Sequence, residues 1–236
     1  MNDKLTLRVN EVFYSLQCEG ARSGEPSIFV RLQGCSAKHA CAASGVVCDT
    51  EFESGVEMTL DELGEAMLQA QLRVTTPSIG DAKSYCPWIV WTGGDPLDQL
   101  NTGILGHFRE KGFKQAIETS GVKILGVAIA NLIDHITVSP KVAEHLLVKH
   151  FGHVERWDDS FQHTGPRYQV DELRYIRHAG QPGIPVPSLK AKHYYISPHS
   201  DGAELNMENV RHCVRLCLEN PTWRLSLQLH KILGVL

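Results

Sequence analysis

One recurring unit constrains this chain more than any other: a short apolar run that stops at glycine or polar residues. It appears in "SIFVRLQGC", "WIVWTGGDP", "KQAIETSG", "HITVSPK", "ELRYIRH" and "HYYISPHS". Runs of this length suit buried strands. Helical segments lie between them. "TLDELGEAMLQAQL" opens on Thr59 with Glu62 three residues later, a capping box ahead of a helical period. "LDQLNTGILGHFREKG" reads as a helix ending near Gly112, and "NMENVRHCVRLCLEN" as an amphipathic one. "TLRVNEVFYSL" alternates and suits an edge strand; "WRLSLQLHK" reads as a final strand. Strands alternating with helices indicate right-handed βα units, hence an α/β fold with a parallel sheet or partial barrel. Such folds gather ligands at the carboxyl ends of their strands. One rim would then hold Cys35, Thr92 to Asp95, Glu118 to Ser120, Ser139, Lys141, Ser197 and His199. No repeat or firm boundary interrupts residues 1–236, so a single domain is expected, with insertions near 74–87 and 150–168.

The length of 236 residues is enough to bury a full core. A net charge of −4 and a pI near 6.3 give no broad footprint for nucleic acid or a membrane surface. No apolar stretch approaches the ~20 residues that span a bilayer. The start, "MNDKLTLRVNEVF", lacks the apolar centre of a secretory signal. The expectation is a soluble cytoplasmic chain. Thiols there stay reduced, so clustered cysteines point to metal or catalysis rather than disulfides.

Three of the seven cysteines fall in "QGCSAKHACAASGVVCDTEFESG", as Cys35, Cys41 and Cys48. The spacing, Cys-x5-Cys-x6-Cys, contains no CxxC pair. Zinc would need a fourth ligand, and His39 would complete a Cys3His set. Three thiolates also suit an iron–sulfur cubane with one iron left open for a substrate or cofactor. Both readings stand on the residues alone. Cys86 is a reserve candidate for a ligand, with a structural place the stronger reading. The glycines of Thr92-Gly93-Gly94-Asp95 permit close approach to the backbone, by a ligand or within a tight βα turn.

Taken together, "NEVFYSLQCEG", "FVRLQGC", "CDT", "TGGDP", "IETSG", "VSPK" and "WRLSLQLHKILGVL" resemble, in this order, the radical S-adenosylmethionine superfamily, and within it the 7-carboxy-7-deazaguanine synthase family. The resemblance covers nearly the whole chain and implies that superfamily's partial (βα) barrel with a mainly parallel sheet. It implies a 4Fe-4S cluster on Cys35, Cys41 and Cys48, with Cys41 taking the middle place although Gly45 stands where that ligand is usual. S-adenosylmethionine would be held by Val47, Gly93, Gly94, Asp95, Glu118, Ser120, Ser139 and Lys141, and magnesium by Thr50 beside Asp49. The implied substrate is 6-carboxy-5,6,7,8-tetrahydropterin, bound by Gln17, Glu19, Arg31, Thr92, His230 and the terminal Leu236. Glu19 suits its N–H donors, and the Arg31 fork suits its carboxylate. The activity implied is a radical carbon–nitrogen lyase that releases ammonia in 7-deazapurine (queuosine-type) biosynthesis. A flavodoxin-type reductant and a homodimer come with it. The pattern departs from the family at Cys18 (for glycine) and Asp95 (for glutamate). These departures motivate the alternative of a catalytically weakened pterin- or S-adenosylmethionine-binding regulator, beside a zinc-stabilised binding domain.

Overall fold

The computed structural model describes residues 5–43, 51–74, 87–157, 167–200 and 202–235. Its frame is a nine-stranded sheet in the order β11-β10-β9-β6-β5-β4-β2-β1-β3. The strands are β1 (Thr6–Leu16), β2 (Pro26–Leu32), β3 (Val56–Thr59), β4 (Trp88–Gly93), β5 (Lys114–Thr119), β6 (His135–Val138), β9 (Val170–Arg177), β10 (Ala191–Pro198) and β11 (Arg224–Leu225). From β2 to β11 every pairing is parallel; β1 runs antiparallel to both β2 and β3. A second ribbon pairs β7 (Arg156–Trp157) with β8 (Arg167–Tyr168). The expected α/β partial barrel with a mainly parallel sheet is the fold observed, and the sheet is open.

The parallel strands are apolar along their length because both faces are covered. Ile28, Val30, Leu32, Ile89, Trp91, Ile117, Ile136 and Val138 are all buried. Helices α2 (Leu60–Leu72) and α3 (Thr102–Glu110) close one face with Leu63, Met67, Ile104, Leu105 and Phe108, and Phe108 meets Trp91 edge-on at 5.5 Å. The expected capping box is present: Thr59 accepts from the Glu62 N–H, and the Glu62 side chain accepts from the Thr59 N–H.

Several expectations need correction. β1 is not the edge strand, because β3 pairs outside it. α3 starts later than the sequence suggests: Asn101 caps it, and Pro96–Asp98 forms a separate 3-10 turn. The region taken as an insertion near 150 begins inside a helix, α5 (Glu144–Phe151), and continues into the β7–β8 ribbon. The last stretch is strand only at Arg224–Leu225, then turns into the short helix α7 (His230–Leu233). The turn is secured by the Leu229 N–H on the Cys18 carbonyl at 3.1 Å. In the apolar tail, Ile232 and Leu233 are exposed.

Candidate active site

The cysteine loop is seated by the glycines that end β4. Gly93 has φ +107, and a Cβ there would lie 2.3 Å from the Leu32 nitrogen. A Cβ on Gly94 would lie 1.5 Å from the Gly34 carbonyl oxygen, and the Gly94 N–H donates to the Leu32 carbonyl. The two glycines therefore admit the chain's own backbone, bringing Cys35 against the end of β4. Further bonds gather the loop's ends: Gly34 N–H to Phe52 carbonyl at 2.8 Å, and Ser36 N–H to Asp98 Oδ2 at 2.7 Å. Asp98 is held in turn by Lys123 at 3.2 Å.

Cys41 lies in helix α1 (Lys38–Ala43), and Cys35 just ahead of it. The Cys35 thiol is half-buried and its pKa is pushed up to about 11, first by burial; a backbone hydrogen bond at Ala37 opposes this, and the charges of Asp95, Cys41 and Asp98 add to it. Soft thiolates on one loop fit an iron–sulfur cluster. Cys48, Val47, Thr50, Gly45, Asp49, Cys86 and Leu236 lie outside the described residues. Among the described residues no group of three His, Cys, Asp or Glu side chains is placed to hold a metal ion.

Beside the glycine turn, a cavity of about 240 Å³ opens between the carboxyl ends of β2, β4 and β5. Gln17, Glu19, Arg31, Thr92, Glu118 and His230 all line it. These are the described residues of the expected substrate set, joined by Glu118, which had been assigned to the cofactor. Its walls differ in charge. At one end Arg31 Nη1 pairs with Glu11 at 2.8 Å, and its guanidinium lies 5.4 Å from the centre of the Phe13 ring. Phe13 stacks on Phe29 at 4.9 Å, giving a flat apolar wall. At the other end stand Glu19 and Glu118. Gln17, buried, donates to Glu118 at 3.1 Å and accepts from the N–H groups of Cys18 and Glu19. Cys18 is also buried there; burial first, then Glu19, raises its pKa against a backbone hydrogen bond at His230.

A second cavity, about 560 Å³, lies between α1 and the ends of β6 and β9. Ala40 and Ala43 face Lys141, Tyr175 and Arg177 across it. The Tyr175 hydroxyl donates to Glu144, and Arg177 Nε is buried with no hydrogen-bond partner among the described residues. Small residues beside the thiol loop and two cations opposite suit an amino-acid carboxylate and a nucleoside. The Lys141 N–H donates to the Ser120 carbonyl, and the Ser139 N–H to that of Thr119.

Asp95 has a different place from the one expected. Its carboxylate is 1% exposed and accepts from the Thr119 hydroxyl, from the Ser120 N–H and hydroxyl, and from the Leu97 N–H. Burial raises its pKa, while the bonds from Ser120, Thr119 and Leu97 pull it back. Asp95 and Ser120 therefore tie the end of β4 to that of β5 and are spent on each other. Sequence reading missed the residue at the centre of the carboxylates. Arg174, 4% exposed on β9, pairs with Glu19 at 2.6 Å and Glu172 at 3.1 Å, and lies 3.9 Å from Glu118. Burial would lower its pKa, but the charges of Glu19, Glu118 and Glu172 raise it above the usual guanidinium value. Its only sequence signal was a charge inside an apolar strand. A further cavity, about 950 Å³, lies at the opposite, amino-terminal ends of β6, β9 and β10, and no expected site residue lines it.

A mainly parallel α/β sheet with a thiol-bearing loop and two cavities at its carboxyl rim defines the class of α/β proteins that take their ligands at the strand ends. No family model matches the sequence. Known relatives do. The 7-carboxy-7-deazaguanine synthase of Nitratidesulfovibrio vulgaris is 31% identical over 246 residues, spanning 98% of this chain and 100% of that one. The synthase of Bradyrhizobium diazoefficiens is 30% identical over 236 residues, with 98% and 100% covered. A crystal structure of QueE from Escherichia coli shares the fold at a TM-score of 0.56, with 20% identity and 94% of each chain covered. The chain belongs to the 7-carboxy-7-deazaguanine synthase family.

Proposed function

We propose that this chain is a radical S-adenosylmethionine lyase converting 6-carboxy-5,6,7,8-tetrahydropterin to 7-carboxy-7-deazaguanine with loss of ammonia. Family membership supports the activity. The observation that supports the substrate is a cavity lined by the carboxylates Glu19 and Glu118, the Arg31 guanidinium and the stacked rings of Phe13 and Phe29. A pterin is flat, offers N–H donors along its pyrimidine edge, and here carries a carboxylate at the far side of the ring. Glu19 and Glu118 accept from the donors; Arg31 takes the carboxylate, and Glu11 fixes its orientation. Gln17 braces Glu118, Thr92 stands at the end of β4, and His230 closes the cavity from the carboxyl-terminal segment.

Cys35 and Cys41, with Cys48, would hold a 4Fe-4S cluster. With S-adenosylmethionine bound, that cluster supplies one-electron reductive cleavage and a carbon radical; the protein supplies aim and exclusion of water. Lys141 and Arg177 would bind the carboxylate of S-adenosylmethionine, a reading supported by the cavity that they line together with Ala40 and Ala43. Gly93 and Gly94 seat the loop, and Asp95, Ser120 and Ser139 hold the strand ends that frame it. The finer parts rest on the family resemblance: magnesium at Thr50, a flavodoxin-type reductant, a homodimer and a cytoplasmic setting. Anaerobically purified protein should contain about four irons and four sulfides per chain, the content of one cubane. Given both ligands and a reductant, it should form 5′-deoxyadenosine and 7-carboxy-7-deazaguanine. Cys41→Ala should lose iron, and Arg31→Met should raise KM far more than it lowers kcat. A fully loaded protein that forms neither product would overturn the reading.

A further inference from the structure

Arg174 lies behind the wall of the substrate cavity and touches none of its space; the carboxylates that it holds line that space. Nη1 takes Glu19, while Nη2 takes Glu172 and approaches Glu118. Glu172 is itself fixed from three sides. It accepts from His135 Nε2 at 2.8 Å and from the Ala21 N–H at 2.9 Å, and lies so close to Gly20 that any Cβ there would meet its Oε2 at 2.0 Å. The guanidinium is thus anchored in the sheet on one side; on the other it grips Glu19 of the loop after β1 and approaches Glu118 of β5.

A purely structural role accounts poorly for this arrangement. Three carboxylates surround one guanidinium, and Arg174 Nε is buried with no hydrogen-bond partner among the described residues. Apolar residues of similar volume generally serve a fold as well as a buried ion cluster does. An excess of acceptors facing a cavity makes physical sense if a ligand brings donors to them. Acceptors held rigidly also discriminate: a ligand edge that presents oxygen instead of N–H leaves them unpaired.

We propose that Arg174 is a positioning residue for substrate selectivity, aiming Glu19 and Glu118 so that the cavity takes a ring edge rich in N–H donors and rejects one that presents carbonyl oxygen. This rests on the pterin reading of the same cavity. The probes are 6-carboxypterin and 6-carboxylumazine, which differ in an amino donor replaced by a carbonyl oxygen. Both are titrated by fluorescence, without oxygen, onto cluster-loaded protein with S-adenosylmethionine bound. Wild type should prefer the pterin by about 100-fold or more. Arg174→Lys keeps the charge and loses the fork, so the preference should fall below about 10-fold. The loss should shrink in a Glu118→Gln background, where one of the aimed carboxylates is gone. A merely structural role would weaken both probes alike; an unchanged ratio in Arg174→Lys, or a wild type that binds both equally, overturns the proposal. If Arg174→Lys does not fold, Glu172→Gln, which releases the far anchor, is read in the same way. Wild type that binds neither probe overturns the pterin reading itself. A wild-type preference for the pterin that is indifferent to Arg174 overturns the selectivity role alone.

Discussion

Gly94 shows how one residue can be needed for a reason other than the first one its motif suggests. "TGGDP" invites a ligand-approach reading, yet what approaches is the Gly34 carbonyl and, with it, Cys35. Backbone cannot yield as a side-chain tip can. Gly94→Ala is therefore expected to cost about 1–3 kcal/mol, as overpacking does, and to displace the cysteine loop. Denaturant midpoints and iron content after anaerobic reconstitution check both effects; a stable variant with full iron would show that the contact does not seat the loop. Asp95 carries the same lesson. Its shorter carboxylate reaches Thr119, Ser120 and Leu97 and is filled by them.

Among the elements, those with a complete local signal were legible. The Thr59–Glu62 box starts α2 as read, because a cap needs only residues three apart. Thr59→Ala should cost about 1 kcal/mol and lower Tm by about 2–4 °C in a chain of this size. Thermal melts decide it, and a change below 1 °C would mean that packing against β1 holds the helix start without the cap. The buried strands were legible for a similar reason: two covered faces leave continuous apolar runs. β3 was missed because "VEMT" is too short and too mixed to carry a period, and pairing with Thr6 to Val9 makes it a strand. The end of the chain misled because "WRLSLQLHK" alternates convincingly. The Leu229 N–H on the Cys18 carbonyl, and the Ser226 hydroxyl accepting from the Gly20 N–H, turn it over the end of β1 instead.

Across the whole molecule, the buried Glu172 ties the loop after β1 to β6 and β9. Burial pushes its pKa up, but His135, Arg174 and the Ala21 N–H outweigh that and hold it at about 2, against an ordinary value of 4.5. A depressed carboxylate lends stability that is full above its unfolded pKa and lost as pH falls through the folded one. The difference amounts to roughly 3 kcal/mol, lost between about pH 4.5 and pH 2. Denaturation midpoints across that window should fall more steeply for wild type than for Glu172→Gln; parallel slopes would contradict the linkage.

Most of the cavity's polar residues were legible through the ordered motifs of the family resemblance, whereas local chemistry reaches as far as the buried strands, the capped start of α2 and the thiol loop. Each of these is written in contiguous residues, whose periods and spacings carry the signal. The pairing of β3, the turn of the carboxyl-terminal segment and the inward use of Asp95 arise only once the sheet closes. So does the grip of Arg174 on Glu19 across 155 positions of chain. Such contacts leave no spacing in the sequence, because burial and the meeting of opposite charges depend on which strands become neighbours.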